Sequence, residues 1–374
     1  MRRIALMLAA VLCASLLPGA GPAGAGGTTE VLLSAQANEL DVYDVGTLTP
    51  GMSRRTVIHA HQHSPTPPDD NGNDVNGQNC RVTQSNGATR FVMGEDSDQS
   101  MYPVGEVQGW GLFDPTSEHW AMRDKLIPTY NFTDPPNQHL PDNTGCAVSA
   151  DGSLLFLVDL GVGAFDVPGV GSLFVYFRDA GGDFSGIAKP AASRSKYCVL
   201  ANNLTTAGYI AVAPDGSVLV PQTGRSNGGV VERFAPPFPA NGASCGSYPA
   251  SQRSDFIKAL PSYVPISIAA RNGSWLVGNV VPGMVSEYDA AGNWVRLIVP
   301  PGPYNVAGMA VSSDGTLYFA NLGLRPDPEE LFTTQDLAGA LYMVLFLPEV
   351  DVPLPPVLIQ PLLTFPEGLG IHAF

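Results

Sequence analysis

The sequence predicts an all-β fold, a six-bladed β-propeller whose first blade is built from both ends of the chain. Three observations carry this. First, Asn-Gly or Asp-Gly dipeptides between apolar runs recur at Asn86-Gly87, Asp151-Gly152, Asp215-Gly216, Asn272-Gly273 and Asp314-Gly315, spaced 65, 64, 57 and 42 residues apart. Such dipeptides are the strongest short-range hairpin signal, because both central positions of a tight turn tolerate positive φ. Second, an alternating run such as SLLFLVDLG or TLYFANLG follows each dipeptide. After most comes a third strand: WGLFDP, GSLFVYFR, GGVVERF, MVSEYDAAGNWVRLIV and GALYMVLF. Third, two incomplete units flank the five complete ones. PEGLGIHAF is an inner strand with no turn after it, and TTEVLLSAQANELDVYDVGTLT is two strands with no inner strand before them.

Five small antiparallel units in a row describe radially arranged blades. The two fragments make a sixth, and Phe374 falls where the turn aspartate stands in the other units. Pairing of the two ends closes the ring and protects its edges. Helical periodicity is nearly absent; EELFTTQDLAGALY reads as one helical turn at most.

Ahead of the first strand, MRRIALMLAAVLCASLLPGAGPAGAGG has the build of a secretory signal peptide: Arg2 and Arg3, an apolar run from Ile4 to Leu17, then small residues, with Ala23-Gly24-Ala25 as the cleavage triplet. The apolar run is too short to span a bilayer. A lipoprotein reading through Cys13 fits poorly, because Leu12 stands where a small residue is expected. Residues 1–25 are therefore read as leader and residues 26–374 as one propeller domain, secreted or periplasmic. No composition break divides the remainder.

The formal net charge of −15 becomes −17 when Arg2 and Arg3 leave with the leader. Such a surface repels nucleic acid and anionic membrane and favours solubility or cation binding. A monomer whose partner is a small molecule or an extracellular protein fits this balance. Four cysteines follow the leader: Cys80, Cys146, Cys198 and Cys245. An even number in an exported chain points to disulfides, with three pairings open. Cys80 (NGQNC) and Cys146 (NTGC) hold similar places in neighbouring inner strands, which favours a bridge between them and a second from Cys198 to Cys245. Free thiols at Cys80 and Cys146 are the alternative.

GMAVSSDGTLYFANLG and GYIAVAPDGSVLVPQTG resemble the NHL-type repeat and the gluconolactonase and senescence-marker-protein propellers, in which PxGxAVxxDGxLYVAD is typical. The resemblance covers about four blades. It implies a divalent cation in the central channel, calcium or alternatively zinc, held by Glu, Asn and Asp residues just ahead of the glycine that opens inner strands. Glu367 (PEG) and Asn76 (VNG) match that motif. Asp142 and Asn143 (PDNTGC) match nearly, Asn305 (YNVAG) more loosely, and TTAGY and YVPIS offer no carboxylate. Converging hard oxygens suit calcium, or a catalytic cation that polarises a carbonyl and acidifies water. The resemblance therefore implies a hydrolase of small lactones or esters, a non-catalytic propeller that presents its loop face to a ligand or protein, or a metal-dependent lyase. Whether the chain is an enzyme stays open.

Two further constellations stand out. Glu95 (with Asp96), Asp159, Gln222, Asn279 and Asn321 end the second strands; they line the channel mouth or bond the backbone of the adjoining loop. His59, His61 and His63 alternate, about 6.6 Å apart if extended, ahead of an oxygen-rich loop, Asp69 to Asp74, that does not fit the calcium-loop template. His63 is the candidate general base, since imidazole titrates near neutrality; a solvated connection between blades is the plainer reading. His119 and His139 sit in a loop-rich segment where surface histidines are the norm. No GxSxG elbow, phosphate loop or dinucleotide fingerprint occurs.

Overall fold

Runs such as LLFLVD (Leu154–Asp159) and GSLFVYF (Gly171–Phe177) offer apolar side chains to both faces of a strand. A strand of that kind must be covered on both sides, and here each sheet is clamped between two others. The computed structural model describes residues 30–36, 39–45, 55–58, 75–95, 109–116, 122–126, 143–160, 171–185, 196–223, 229–258, 264–327, 331–333, 338–363 and 366–373.

Among these residues, six four-stranded antiparallel sheets form a ring. From the axis outward, blade one is Pro366–Ala373, Glu30–Gln36, Glu39–Asp44 and Arg55–Ile58. Blade two is Val75–Thr83, Thr89–Glu95, Gly109–Phe113 and Met122–Lys125. Blade three is Asn143–Val148, Leu154–Asp159, Gly171–Phe177 and Tyr197–Leu204. Blade four is Ala211–Val212, Val218–Gln222, Val230–Phe234 and Arg253–Lys258. Blade five is Pro265–Arg271, Ser274–Asn279, Gly283–Tyr288 and Trp294–Gly302. Blade six is Val306–Val311, Leu317–Asn321, Gly339–Val344 and Val357–Leu363. In blade one the register runs from Glu30 opposite Ala373 to Gln36 opposite Pro366, so the two ends of the chain share one sheet.

The core is divided accordingly. Leu33, Val42, Phe91 and Phe113 pack between blades one and two, and Leu219, Ile268, Trp275 and Tyr288 between four and five. The cluster between blades six and one, with Leu32, Tyr43, Tyr318 and Leu341, extends to the axis through Tyr209 and Ile266. Outer strands read differently: Trp294 is 61% exposed.

The hairpin turns depart from the expectation of two left-handed residues. Gly87, Gly152, Gly216 and Gly315 have positive φ, whereas the Asn or Asp before each does not; both residues are left-handed only at Asn272-Gly273 (φ 49° and 80°), a true two-residue hairpin between Arg271 and Ser274. In the other four, the Asx oxygen accepts the N–H two residues on, at 2.9 Å from Ala88, 3.0 Å from Ser153, 2.9 Å from Ser217 and 3.0 Å from Thr316. The aspartate thus serves as a side-chain cap, and only the glycine needs the left-handed region. At Asp151, the Ser149 hydroxyl and then the Ser153 amide hold the carboxyl down at about 2.

Two small hairpins were not foreseen. Arg325–Asp327 pairs with Leu331–Thr333, and the second of these strands falls inside the stretch read as a helical turn. Phe346–Leu347 pairs with Val352–Pro353 and docks on blade five. There Asp351 accepts from Arg271 Nη2 at 2.5 Å and Nη1 at 3.2 Å, and from Arg296 Nη2 at 2.6 Å. The Arg271 side chain is buried and lies over the Phe346 ring, 3.3 Å from guanidinium carbon to centroid. Among the described residues no helix is long and apolar enough to cross a membrane, which says nothing of a β-barrel.

Candidate functional site at the two ends of the channel

The motif glycines create a neck. A Cβ on Gly145 would stand 2.5 Å from the Gly208 carbonyl oxygen, on Gly208 1.8 Å from that of Ile266, on Gly308 2.3 Å from that of Glu367, and on Gly368 1.4 Å from that of Gly77. Each contact reaches into the next blade, so the inner strands touch backbone to backbone where only hydrogen fits. Between blades four and five the approach becomes a bond, from Tyr209 N–H to the Ile266 carbonyl at 2.7 Å.

The residues just ahead of this neck form the layer in which a cation was expected. They are Glu367, Asn76, Thr144, Ala207, Pro265 and Ala307. Glu367 is half-buried, and its Oε2 accepts the Gly77 N–H at 3.3 Å, across the seam between blades one and two. Thr144 is buried and its hydroxyl donates to the Ala207 carbonyl at 2.9 Å; Ala207, Pro265 and Ala307 are buried. Asn305 stands further out, its N–H on Asn321 Oδ1 at 2.7 Å and its Nδ2 on the Val280 carbonyl at 3.4 Å. The strand positions of Asn76 and Asn143 are defined, but their side chains, like that of Glu95, lie outside the described residues, as does His63 altogether. Among the described residues no group of three or more His, Cys, Asp or Glu is disposed to hold a metal ion.

Of the polar residues that the sequence places at the ends of second strands, the four whose side chains are described, Asp159, Gln222, Asn279 and Asn321, are buried. Asn321 accepts the N–H of Asn305, and Gln222 Oε1 accepts that of Thr205 at 3.0 Å, in each case from the segment leading to the inner strand. Asn279 Nδ2 donates to the Val277 carbonyl at 3.4 Å. In blade four Gln222 also donates to Glu232 at 2.5 Å, which in turn holds Arg253 at 2.7 and 3.1 Å. Gln36, bonded to Asp41, is the blade-one member of this series. The sequence did not show it, because no turn dipeptide precedes it to set the frame.

Below the neck, Gln78 does what no spacing rule announces. From the inner strand of blade two its amide reaches past blade three to blade four. Oε1 accepts the N–H of Cys146 at 3.2 Å and of Ile210 at 3.1 Å, while Nε2 donates to the Ile210 carbonyl at 3.1 Å. One side chain thus stitches the inner edges of three successive blades. Beyond it, the channel opens towards the hairpins into a bowl of ≈ 400 Å³ lined by all six blades.

At the seam of that bowl, Asn79 Nδ2 donates to the Leu33 carbonyl at 3.3 Å, so its Oδ1 faces His372 Nε2 at 2.7 Å as an acceptor. His372 therefore carries its proton on Nε2. Burial first, and the Arg81 guanidinium second, pull the ring down to about 3, so it is neutral at physiological pH. Arg81 donates to the Ala373 carbonyl and, at 3.3 Å, to the Thr89 hydroxyl. Cys80 bridges to Cys146 between the inner strands of blades two and three, and Cys198 bridges to Cys245, tying the loop after Phe234 to blade three.

These features define the class: a six-bladed β-propeller closed by strands from both ends of the chain, with a tight neck and a wide end. No family model matches the chain, and no curated protein matches it in sequence. Among solved structures it is similar to the periplasmic gluconolactonase of Pseudomonas aeruginosa, with a TM-score of 0.51 and 14% identity over 92% of this chain and 99% of that one. It is equally similar to a chain of a nidogen/laminin complex, at a TM-score of 0.51 and 12% identity over 91% and 98%. The calcium-binding regucalcin of Agrobacterium tumefaciens scores 0.46 at 16% identity over 76% and 75%. At such identities the likeness is one of fold.

Proposed function

We propose that the chain is an exported single-domain binding propeller, residues 26–374 after a leader, which holds an extracellular protein or small ligand on the loop face around Glu367 and does not catalyse a reaction there. The observation that carries this is the layer ahead of the neck. A calcium ion takes six to eight oxygens, and a carboxylate or amide stands in that layer at Glu367 and Asn76 alone. The other four positions hold a threonine spent on the Ala207 carbonyl, two alanines and a proline. The nidogen/laminin likeness and the two disulfides, which suit an oxidising compartment, support the same reading.

The second reading is a cation-dependent lactonase or esterase. It is favoured by the half-buried Glu367 at the channel mouth beside the strand position of Asn76, and by the gluconolactonase likeness. In that reading Glu367, Asn76, Asn143 and Asn305 hold calcium or zinc and His63 carries the proton.

Metal content of the purified protein, and its melting temperature with calcium or zinc titrated in, decide between the two. The binding reading expects less than stoichiometric metal, an unchanged melting point and no lactone or ester turnover above background. Stoichiometric metal together with turnover abolished by Glu367→Gln would establish the enzyme instead.

A further inference from the structure

Among the described residues, eight of the nine exposed large hydrophobic side chains belong to blades five and six, and none of the eight lines the channel bowl. Trp294, Val295 and Leu297 stand on the outermost strand of blade five, and Leu358 and Leu362 on that of blade six. Between them the hairpin of Phe346–Leu347 with Val352–Pro353 adds Leu347, Val350 and Val352. This hairpin joins the two strands into one flank: Asp351 holds Arg296 of blade five, and Phe346 packs into the seam between the two blades. Eight such side chains at about 80–100 Å² each present roughly 600–800 Å² of apolar surface. The largest apolar patch of a soluble monomer is about 300–600 Å², and one partner of a stable dimer buries about 800 Å².

The charge pattern says what the flank meets. Outer strands elsewhere are charged, as in MRDK of blade two and RSDFIK of blade four. Trp294–Gly302 and Val357–Leu363 together hold a single charged residue, Arg296, and it is spent on Glu287 and Asp351. Asp351 in turn binds the buried Arg271, and Glu349 stands exposed at the hairpin tip. The whole chain is strongly acidic, at a formal −15, so two copies repel over most of their surface. That balance alone argues for a monomer, but the flank is where two copies can approach without repulsion. Depletion of charge also marks a homodimer interface, whereas an oppositely charged partner would be met by complementary charges. Strand-to-strand pairing is disfavoured by Pro300, Pro301 and Pro361 and by the register shifts in both outer strands. Side-chain packing remains, and a two-fold axis closes it.

We propose that this outer flank of blades five and six binds a second copy of the chain, forming a two-fold homodimer packed through Trp294, Val350 and their apolar neighbours. The interface lies away from the axis, so it stands or falls apart from the function proposed above. The test is sedimentation velocity of the purified protein over a wide range of concentration, at low and at high salt. The expected result is a reversible monomer–dimer equilibrium that stops at two copies and tightens as salt screens the acidic surfaces. Trp294→Lys and Val350→Lys should each weaken it by about a hundredfold or more, because a two-fold counts every substitution twice. Val199→Lys, at an exposed position on blade three, should leave it unchanged. Both flank positions are exposed, so the two variants should melt with wild type at dilutions where it too is monomeric. A protein that is monomeric at every concentration would leave the flank to a different partner and overturn the proposal. A dimer that salt disperses, or one that both lysine variants form as tightly as wild type, would overturn it equally.

Discussion

Replacing Gly368 with alanine tests the neck most directly. The added Cβ stands 1.4 Å from the Gly77 carbonyl oxygen and 2.8 Å from the Gln78 nitrogen. Restoring an ordinary contact of about 3.4 Å requires the inner strand of blade one to retreat by about 2 Å from blade two. That movement breaks the bond from Gly77 N–H to Glu367, the Arg81 bond to Ala373 and the pairing of His372 with Asn79. Three hydrogen bonds at about 1 kcal/mol each, added to an overpacking cost of about 1–3 kcal/mol, give roughly 4–6 kcal/mol. At about 2 °C per kcal/mol for a chain of this size, the melting temperature should fall by roughly 8–12 °C. Gly246→Ala is the control: nothing lies within 4 Å of its Cβ and its φ is unexceptional, so a change within about 1 kcal/mol is expected. Thermal unfolding, with hydrogen exchange read at residues 30–36 and 366–373, gives both numbers. If Gly368→Ala melts within 2 °C of Gly246→Ala and keeps its protection at those strands, the backbone-to-backbone account of the neck is wrong.

Further outcomes are expected. The bridges Cys80–Cys146 and Cys198–Cys245 span 66 and 47 residues, so by loop entropy replacing either pair with serine should cost about 4 kcal/mol in urea unfolding. Mild reductant should open Cys198–Cys245 first, because Cys245 is exposed and Cys146 fully buried; mass mapping of alkylated cysteines checks the order. His372 has a folded pKa of about 3 against 6.5 when free, so the unfolded chain takes up its proton first as the pH falls. Stability should drop from pH 6.5 towards 3 by up to about 1.4 kcal/mol per unit, and His372→Gln should flatten that slope. The lowered carboxyls of Asp151, Asp179 and Asp289 contribute above about pH 4 and lose that contribution below it. Asp351→Ala leaves the buried Arg271 guanidinium with its Gly315 carbonyl bond alone, and because the Asp351 carboxylate is half exposed the loss should cost about 1–3 kcal/mol by denaturant unfolding, whereas Arg296→Ala, which leaves Arg271 paired, should cost less.

The ring was legible in the sequence because its signal repeats. The Asx-Gly turns and the doubly apolar second and third strands recur five times, and the half-units PEGLGIHAF and TTEVLLSAQ fit only each other. The neck could be read as far as its glycines, although their cause, contact with the next blade's carbonyl, is a tertiary fact. Gln78 was invisible: one glutamine after NG has no periodicity, and its partners at Cys146 and Ile210 are 68 and 132 residues away. His372 and Arg81 read as ordinary strand residues, since their coupling depends on which inner strands become neighbours at the closing seam. The Asx turn residues were recognised for a real reason but given the wrong one, because a carboxylate that caps and a residue that adopts positive φ leave the same dipeptide in a sequence.

Closure by Pro366–Ala373 against Glu30–Gln36 also fixes an order of assembly. The strand that is made first among the described residues must wait for the one made last, more than 300 positions later, before either edge is satisfied. Blades two to six can stack as they emerge, each on its predecessor. The first hairpin, Glu30 to Asp44, meanwhile keeps an unpaired edge, and such edges recruit other chains. Sealing the circle is therefore a highly non-local pairing, of the kind that loop-closure entropy makes slow, and until it forms the half-made protein depends on whatever shields that one hairpin.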